Sequence, residues 1–321
     1  MKTINKIIFA VIFSFMFTLS IFLIIFNQFP TEDSNLKDHS FFYQKFDPKN
    51  EKILLLGSSH TGQINSTLLQ DNISDIDENV IIYNLAYNTD TPKKRVEQLK
   101  QIISLQPSLI FYGISYRDFG SIDIEQDSPL EVNNFLSDFL DQIFNVNKIN
   151  PKLITLQAIR DIFSSTNIFP PEGDRIYLDN QPFFSYDRSQ MIIVSDEELQ
   201  KQKVTTKILD IEKKDTNEKF QYFKKFLQEM KNEKIEVVIF TTPVHKYYLQ
   251  KIPEKDKKEF QLMLNEIEKE YNLKIYKFSD KYTDLQIWYN LSHVSYNKKA
   301  MIYSEGISKM IISEFNDNLI N

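Results

Sequence analysis

Residues 52–63 read Lys52-Ile53-Leu54-Leu55-Leu56-Gly57-Ser58-Ser59-His60-Thr61-Gly62-Gln63. The run from Ile53 to Leu56 is apolar at every position and too short for a helix, which is the pattern of a parallel-sheet strand buried on both faces. Gly57 ends it with a turn residue. Ser58 and Ser59 are good N-cap residues and predict a helix from about Thr61 to Gln70. A serine hydroxyl is thereby set at the carboxyl edge of the sheet, where open α/β sheets bind ligands. The same serines serve equally as plain helix caps, so the rest of the chain has to supply a catalytic partner before the stretch reads as chemistry.

Working outward, the segments Asn79 to Ala86, Ser108 to Gly113, Ile235 to Phe240 and Leu273 to Phe278 read as further strands. Between them, amphipathic patterns predict helices at Pro92 to Leu105, with Pro92 at a first helical position, at Asn217 to Asn232 and at Glu254 to Tyr271. A last helix follows to about Phe315. Alternating strands and helices predict an α/β fold: a three-layer, doubly wound, mainly parallel sheet. Residues 121–215 break the alternation. Short helical patterns (Val132 to Phe144, Lys152 to Phe163) and an aromatic region at Phe183, Phe184 and Tyr186 read as an insertion covering the sheet's carboxyl edge.

At the other end, Ile7 to Phe26 is almost uninterruptedly apolar, and about 20 helical residues span a hydrocarbon core of roughly 30 Å. A cleaved signal peptide is the competing reading. Its apolar region is usually shorter, about 7–15 residues, and ends in small residues rather than Asn27-Gln28-Phe29-Pro30. Lys2 and Lys6 before the run, and Glu32 and Asp33 after it, predict a cytoplasmic N-terminus and an extracytoplasmic main domain. The expected division is a cytoplasmic tip and single-pass transmembrane anchor at 1–28, a linker at 29–50 and an α/β domain at 51–321.

Composition narrows the chemistry. The 321 residues carry a formal net charge of −6 without a long basic run, against nucleic acid as a partner. There is no cysteine, so disulfides, thiolate metal sites and a cysteine nucleophile are excluded. The four histidines, His39, His60, His245 and His293, have no metal-ligand spacing, and six glycines leave no nucleotide-phosphate loop. No cofactor is expected.

The remaining motif is Asn290-Leu291-Ser292-His293, just before the last helix. Together with Gly57-Ser58-Ser59 it resembles the SGNH (GDSL-like) hydrolase superfamily, whose first block is Gly-Asp-Ser and whose last is Asp-x-x-His. The resemblance covers about 52–118 and 235–312 and implies a flavodoxin-like SGNH fold, with Ser59 as nucleophile, His293 as general base and Asn290 in the acid position. Thr89 then stands where the family has an oxyanion-hole glycine and Ser115 where it has an asparagine, so the oxyanion donors would be the backbone N–H groups of Ser59 and Thr89, with Ser115. His60, read as a solvent-facing first-turn residue, His245, at another carboxyl strand end, and Asp284, a nearby carboxylate, are candidate pocket residues. Arg117 and Asp118 read as a local ion pair at the site mouth.

The resemblance implies a membrane-anchored serine esterase or O-acyltransferase acting on surface glycans or envelope polymers, with a multi-span O-acyltransferase as a partner. The alternative is a non-catalytic SGNH-fold protein that binds glycan or scaffolds an envelope assembly, favoured by the altered positions Thr89, Ser115 and Asn290.

Overall fold

The computed structural model describes residues 50–120, 175–178, 180–202 and 209–320. The expected anchor at Ile7 to Phe26, the linker and the two short helices within 121–170 lie outside the described residues.

Strand β1, Glu51–Gly57, is an interior strand of the sheet. Ile53, Leu54, Leu55 and Leu56 are each 0% exposed, as a strand covered on both faces requires. The chain continues through α1 (Ser59–Gly62), α2 (Ser66–Ser74), β2 (Val80–Asn84), α3 (Pro92–Glu97), α4 (Leu99–Ser104) and β3 (Leu109–Ile114). A 3₁₀ turn at Tyr116–Phe119 follows. Beyond the undescribed stretch come β4 (Arg175–Leu178), β5 (Gln181–Asp187), α5 (Asp196–Lys201), α6 (Glu218–Asn232), β6 (Glu236–Thr241), α7 (Lys246–Lys251), α8 (Glu254–Tyr271), β7 (Ile275–Lys277) and α9 (Ile302–Ile320).

The main sheet has the order β2-β1-β3-β6-β7 and is parallel throughout. The chain leaves β1 toward β2 and then returns to the other side of β1 as β3, so the direction of winding reverses there. Right-handed crossovers put successive helices on opposite faces when the direction reverses. Accordingly α2 packs with α9, while α6 packs with α3, α4 and α8. The crevice outside the carboxyl ends of β1 and β3 is the switch point of a doubly wound sheet. Gly57 and Gly113 are cross-strand partners at that place.

The helix expected from Thr61 to Gln70 is instead two helices. Asn65 starts the second by accepting from Leu68 N at 3.1 Å. The carbonyls released at the break find tertiary donors: Asn84 Nδ2 bonds Thr61 O and Ile64 O, and Gln181 Nε2 and the Tyr186 hydroxyl bond Gly62 O. A residue-spacing pattern cannot anticipate donors from a strand and a distant hairpin. The helix expected over Pro92 to Leu105 is likewise split, at Gln98.

The described part of the insertion contains a two-stranded antiparallel hairpin, β4–β5, where the sequence suggested only an aromatic region. It docks on the carboxyl side of the main sheet. Phe184 lies where a side chain at Gly62 would be, Asn180 O accepts from Asn84 N at 2.8 Å, and Tyr186 stacks on Tyr296 with centroids 3.6 Å apart.

Candidate active site

Loops from separate parts of the chain meet at the switch point. The first leaves β1 through Gly57, whose φ of 142° suits glycine alone. A Cβ there would sit 2.3 Å from Thr61 Oγ1 and 2.6 Å from Gly113 O. The closeness of β1, β3 and α1 therefore depends on both glycines lacking a side chain. Ser59 opens α1, where a first helical residue has no intrahelical acceptor for its own N–H.

The second loop closes on itself around His293. Trp288 and Val294 form an isolated antiparallel bridge, Ser295 N donates to Ile287 O at 2.7 Å, and Tyr289 N donates to His293 O at 3.0 Å. Inside it the Asn290 amide oxygen accepts from Ser292 N and His293 N, each at 2.9 Å. Two backbone donors on one atom identify it as Oδ1 rather than Nδ2. The same oxygen lies 3.1 Å from His293 Nδ1. Nδ1 therefore carries the proton, and the opposite ring nitrogen is left as an acceptor.

That acceptor, His293 Nε2, is 2.8 Å from Ser59 Oγ, across 234 residues of sequence. The structure thus brings together Ser59, His293 and Asn290 in a hydroxyl–imidazole–amide chain. Ser292 Oγ, 3.0 Å from Nδ1 and 3.2 Å from Asn290 Oδ1, joins it without a counterpart in the expected set. Among the described residues no carboxylate joins this hydrogen-bonded chain. Burial and then the Arg117 charge lower the His293 pKa to about 4, so the ring is a neutral base at physiological pH.

His60 corrects its expectation. It is 4% exposed rather than solvent-facing, because α1 turns it inward, and its ring stacks on that of His293 with centroids 4.5 Å apart and planes at 28°. Burial first, then His293 and Arg117, hold it well below the ordinary imidazole range, which keeps two adjacent imidazoles from sharing positive charge. Ser58 Oγ is 3.4 Å from His60 Nδ1.

The Thr89 turn follows β2. Tyr87 N donates to Gly57 O at 3.3 Å, which keeps this turn beside β1. Thr89 has φ 58°, the left-handed region in which a β-branched residue is strained by roughly 1–3 kcal/mol. What holds it there was not foreseen from the sequence. Arg95, 0% exposed inside an amphipathic helix, bonds Asp90 Oδ2 and Leu85 O at 2.7 Å each and stacks over the Tyr87 ring. A buried ion pair in this setting binds both sides of the turn.

Ser115 also departs from its expected part. Its hydroxyl and backbone N–H both go to Asp118 Oδ2, at 2.8 and 2.5 Å, in a capping box over the 3₁₀ turn. With its single hydroxyl proton so used, Ser115 has none left for an oxyanion. Burial pushes the Asp118 carboxyl up to about 6, against the opposing bonds from Ser115. The expected Arg117–Asp118 ion pair is not formed among the described residues, because the carboxylate turns back to cap its own turn.

His245 and Asp284 do not meet the Ser59–His293 pair. His245 is fully buried; Nδ1 accepts from Tyr247 N at 3.2 Å, so Nε2 is the protonated nitrogen and faces Asp196 Oδ1 at 3.4 Å. Its backbone N donates to Leu291 O at 3.0 Å and its ring packs edge-on against Trp288, so it supports the His293 loop from beneath. Asp284 is 84% exposed and 3.8 Å from Lys246 Nζ. An exposed side chain facing Lys246, with no bond to the His293 ring, does not stand in for the missing acid.

No family model and no curated protein matches this sequence. Among solved structures the chain is similar to a lipase/acylhydrolase from Enterococcus faecalis, with 14% sequence identity and a TM-score of 0.43, over 84% of this chain and 96% of that one.

Proposed function

We propose that this chain is an SGNH-type serine acyl hydrolase or transferase. The observation that carries the reading is the 2.8 Å contact of Ser59 Oγ with His293 Nε2, with the other ring nitrogen held by Asn290. Ser59 Oγ adds to an ester carbonyl while His293 Nε2 takes its proton. The tetrahedral oxyanion is held by the N–H groups of Ser59 and Thr89. His293 then protonates the departing alkoxide, leaving an acyl-serine, and a water or an acceptor hydroxyl, deprotonated by the same nitrogen, releases the acyl group. Asn290 keeps the tautomer but leaves the developing imidazolium without a counter-charge. An amide in place of the acid costs about 10⁴ in rate in serine triads, so slow turnover is part of the reading.

Within this proposal Ile7 to Phe26 is an uncleaved anchor, the α/β domain is extracytoplasmic, and the acyl esters belong to surface glycans or envelope polymers handled beside a multi-span acyltransferase. Retention of the full chain in membranes after an alkaline wash tests the anchor. Labelling by a fluorophosphonate tests the chemistry: wild type reacts, Ser59→Ala does not, and His293→Ala reacts far more slowly. Equal labelling of Ser59→Ala would overturn it.

A second reading, a non-catalytic glycan-binding or scaffold protein, has its own observation. Ser115, Thr89 and Asn290 all depart from the resembled pattern, and Ser115 donates to Asp118 instead of toward the crevice. A folded wild-type domain that resists the fluorophosphonate at every pH from 5 to 9 would favour it.

A further inference from the structure

The serine relay assigns no task to His60, although the fold buries it beside the base. His60 follows Ser59 in α1, is 4% exposed, and lays its ring on that of His293, with centroids 4.5 Å apart and planes at 28°. The edge of the ring does little. Ser58 Oγ stands 3.4 Å from Nδ1, a long contact, and Nε2 has no hydrogen-bond partner among the described residues. A buried nitrogen without a partner is a cost that leucine or phenylalanine in the same place would not incur. What the ring offers is its face, and that face lies against the base. Hydrogen bonds hold the His293 ring at its two nitrogens, Nε2 by Ser59 Oγ at 2.8 Å and Nδ1 by Asn290 Oδ1 at 3.1 Å. They leave the ring free to tilt about the line that joins them, and a second ring stacked on it removes that freedom.

When His293 takes the Ser59 proton, its ring becomes a cation backed by an amide and not by a carboxylate. A cation over the face of an aromatic ring is attracted to it, and more strongly when both are out of water. We propose that His60 is a positioning residue for this reaction: its neutral ring, stacked on His293, fixes the tilt of the base and lies against the imidazolium that forms there. The inference rests on the hydrolase or transferase reading, because the imidazolium arises only if Ser59 gives up its proton. The arrangement requires His60 to stay neutral, since a second cation would repel the first. Burial, then His293 and Arg117, hold it well below the ordinary imidazole range, and Nε2 has no acceptor for a proton. The titratable and charged groups acting on the pair are thus the two rings and Arg117. The stacked face supplies part of what a carboxylate would, about 10-fold in rate against about 10⁴ for the acid of a serine triad.

The test compares wild type, His60→Leu and His60→Phe as full-length chains, with the thermal unfolding midpoint of each measured. The readouts, taken from pH 4 to 8, are the rate of Ser59 labelling by a fluorophosphonate and kcat and KM for 4-nitrophenyl acetate, an uncharged ester. His60→Leu removes the face and should lower the labelling rate and kcat by about 10-fold, with KM changed less than about twofold. His60→Phe restores a ring face without ring nitrogens and should recover most of that loss. The acid limb separates this role from simple packing. Loss of the face disfavours the cationic form, so the limb, near pH 4 in wild type, does not rise in His60→Leu. A packing defect would instead admit water and move the limb up toward about 6.5. Wild-type rates in His60→Leu, equal losses in the two variants, a raised acid limb, or a rise in KM alone would each overturn the inference while the labelled Ser59 keeps the hydrolase reading standing. If His60→Leu does not fold, His60→Gln, which also lacks a ring, takes its place with the same expectations. A folded wild type that resists the label removes the hydrolase reading and this inference with it.

Discussion

The proton-handling half of the site and the oxyanion half are built differently. Ser59, His293 and Asn290 form a continuous chain of bonds of 2.8 and 3.1 Å, and Asn290 Oδ1 is further fixed by two backbone donors. Opposite it, Thr89 holds a strained φ of 58°, and Ser115 gives its proton to Asp118. The first half keeps the tautomer a serine relay needs without the acid. The second keeps a backbone N–H only by clamping a β-branched residue with a buried Asp90–Arg95 pair. Orientation of a base and stabilisation of charge are separable tasks, and here the fold secures the first more fully than the second.

The largest expected effect breaks the first half outright: Ser59→Ala should lower esterase kcat/KM by about 10⁴ or more without changing the unfolding midpoint. An active Ser59→Ala protein would mean that the relay is ornamental. Next, Asn290→Asp should raise kcat by about 10² or more, because a carboxylate can accept the same bonds from Ser292 N, His293 N and Nδ1 while opposing the imidazolium charge. A decrease would show that the amide is adapted to this site. In the oxyanion half, Thr89→Gly should relieve the left-handed strain. About 1 kcal/mol of added stability in urea unfolding is expected, less the entropy glycine gains when unfolded; destabilisation beyond that would deny the strain.

The pH profile sharpens the comparison. His293 is lowered to about 4, so its acceptor form persists from neutral pH down to that value and is lost below it. The kcat/KM for an uncharged ester should therefore be flat from pH 8 to 5 and fall through about pH 4. An acid limb near an ordinary histidine value of about 6.5 would place a carboxylate beside the ring. The smallest effect, under about twofold, is expected for Asp284→Asn, given the exposure of that side chain.

Much of the fold was legible because β1, β3 and β6 are apolar at nearly every position and helices α6 and α8 have a clear apolar face. Asn217 caps α6 by accepting from Phe220 N, and α8 spans Glu254 to Tyr271 as the pattern predicts. Ser59 and His293 were legible as strand-end and pre-helix residues. Less visible were the inward turn of His60, the buried Arg95 and the Ser115–Asp118 bond, because local spacing places charged and polar residues on the surface unless a partner from elsewhere is known. The β4–β5 hairpin was missed for a related reason: its pairing is made with itself and its docking partners, Gly62 and Asn84, are more than ninety positions away.

By itself the sequence determined the class of fold, the order of strands and helices, and which serine and histidine end on the same edge, since these follow from hydrophobic period and from turn and cap residues. Only the tertiary structure decided that Ser59 and His293 meet at hydrogen-bond distance, that the Asn290 amide oxygen gathers Ser292 N, His293 N and Nδ1 behind the imidazole, and that Ser115 spends its hydroxyl proton on Asp118. Those facts depend on where separate loops converge, and the energy of a charge or a hydrogen bond is set by neighbours that sequence distance does not reveal.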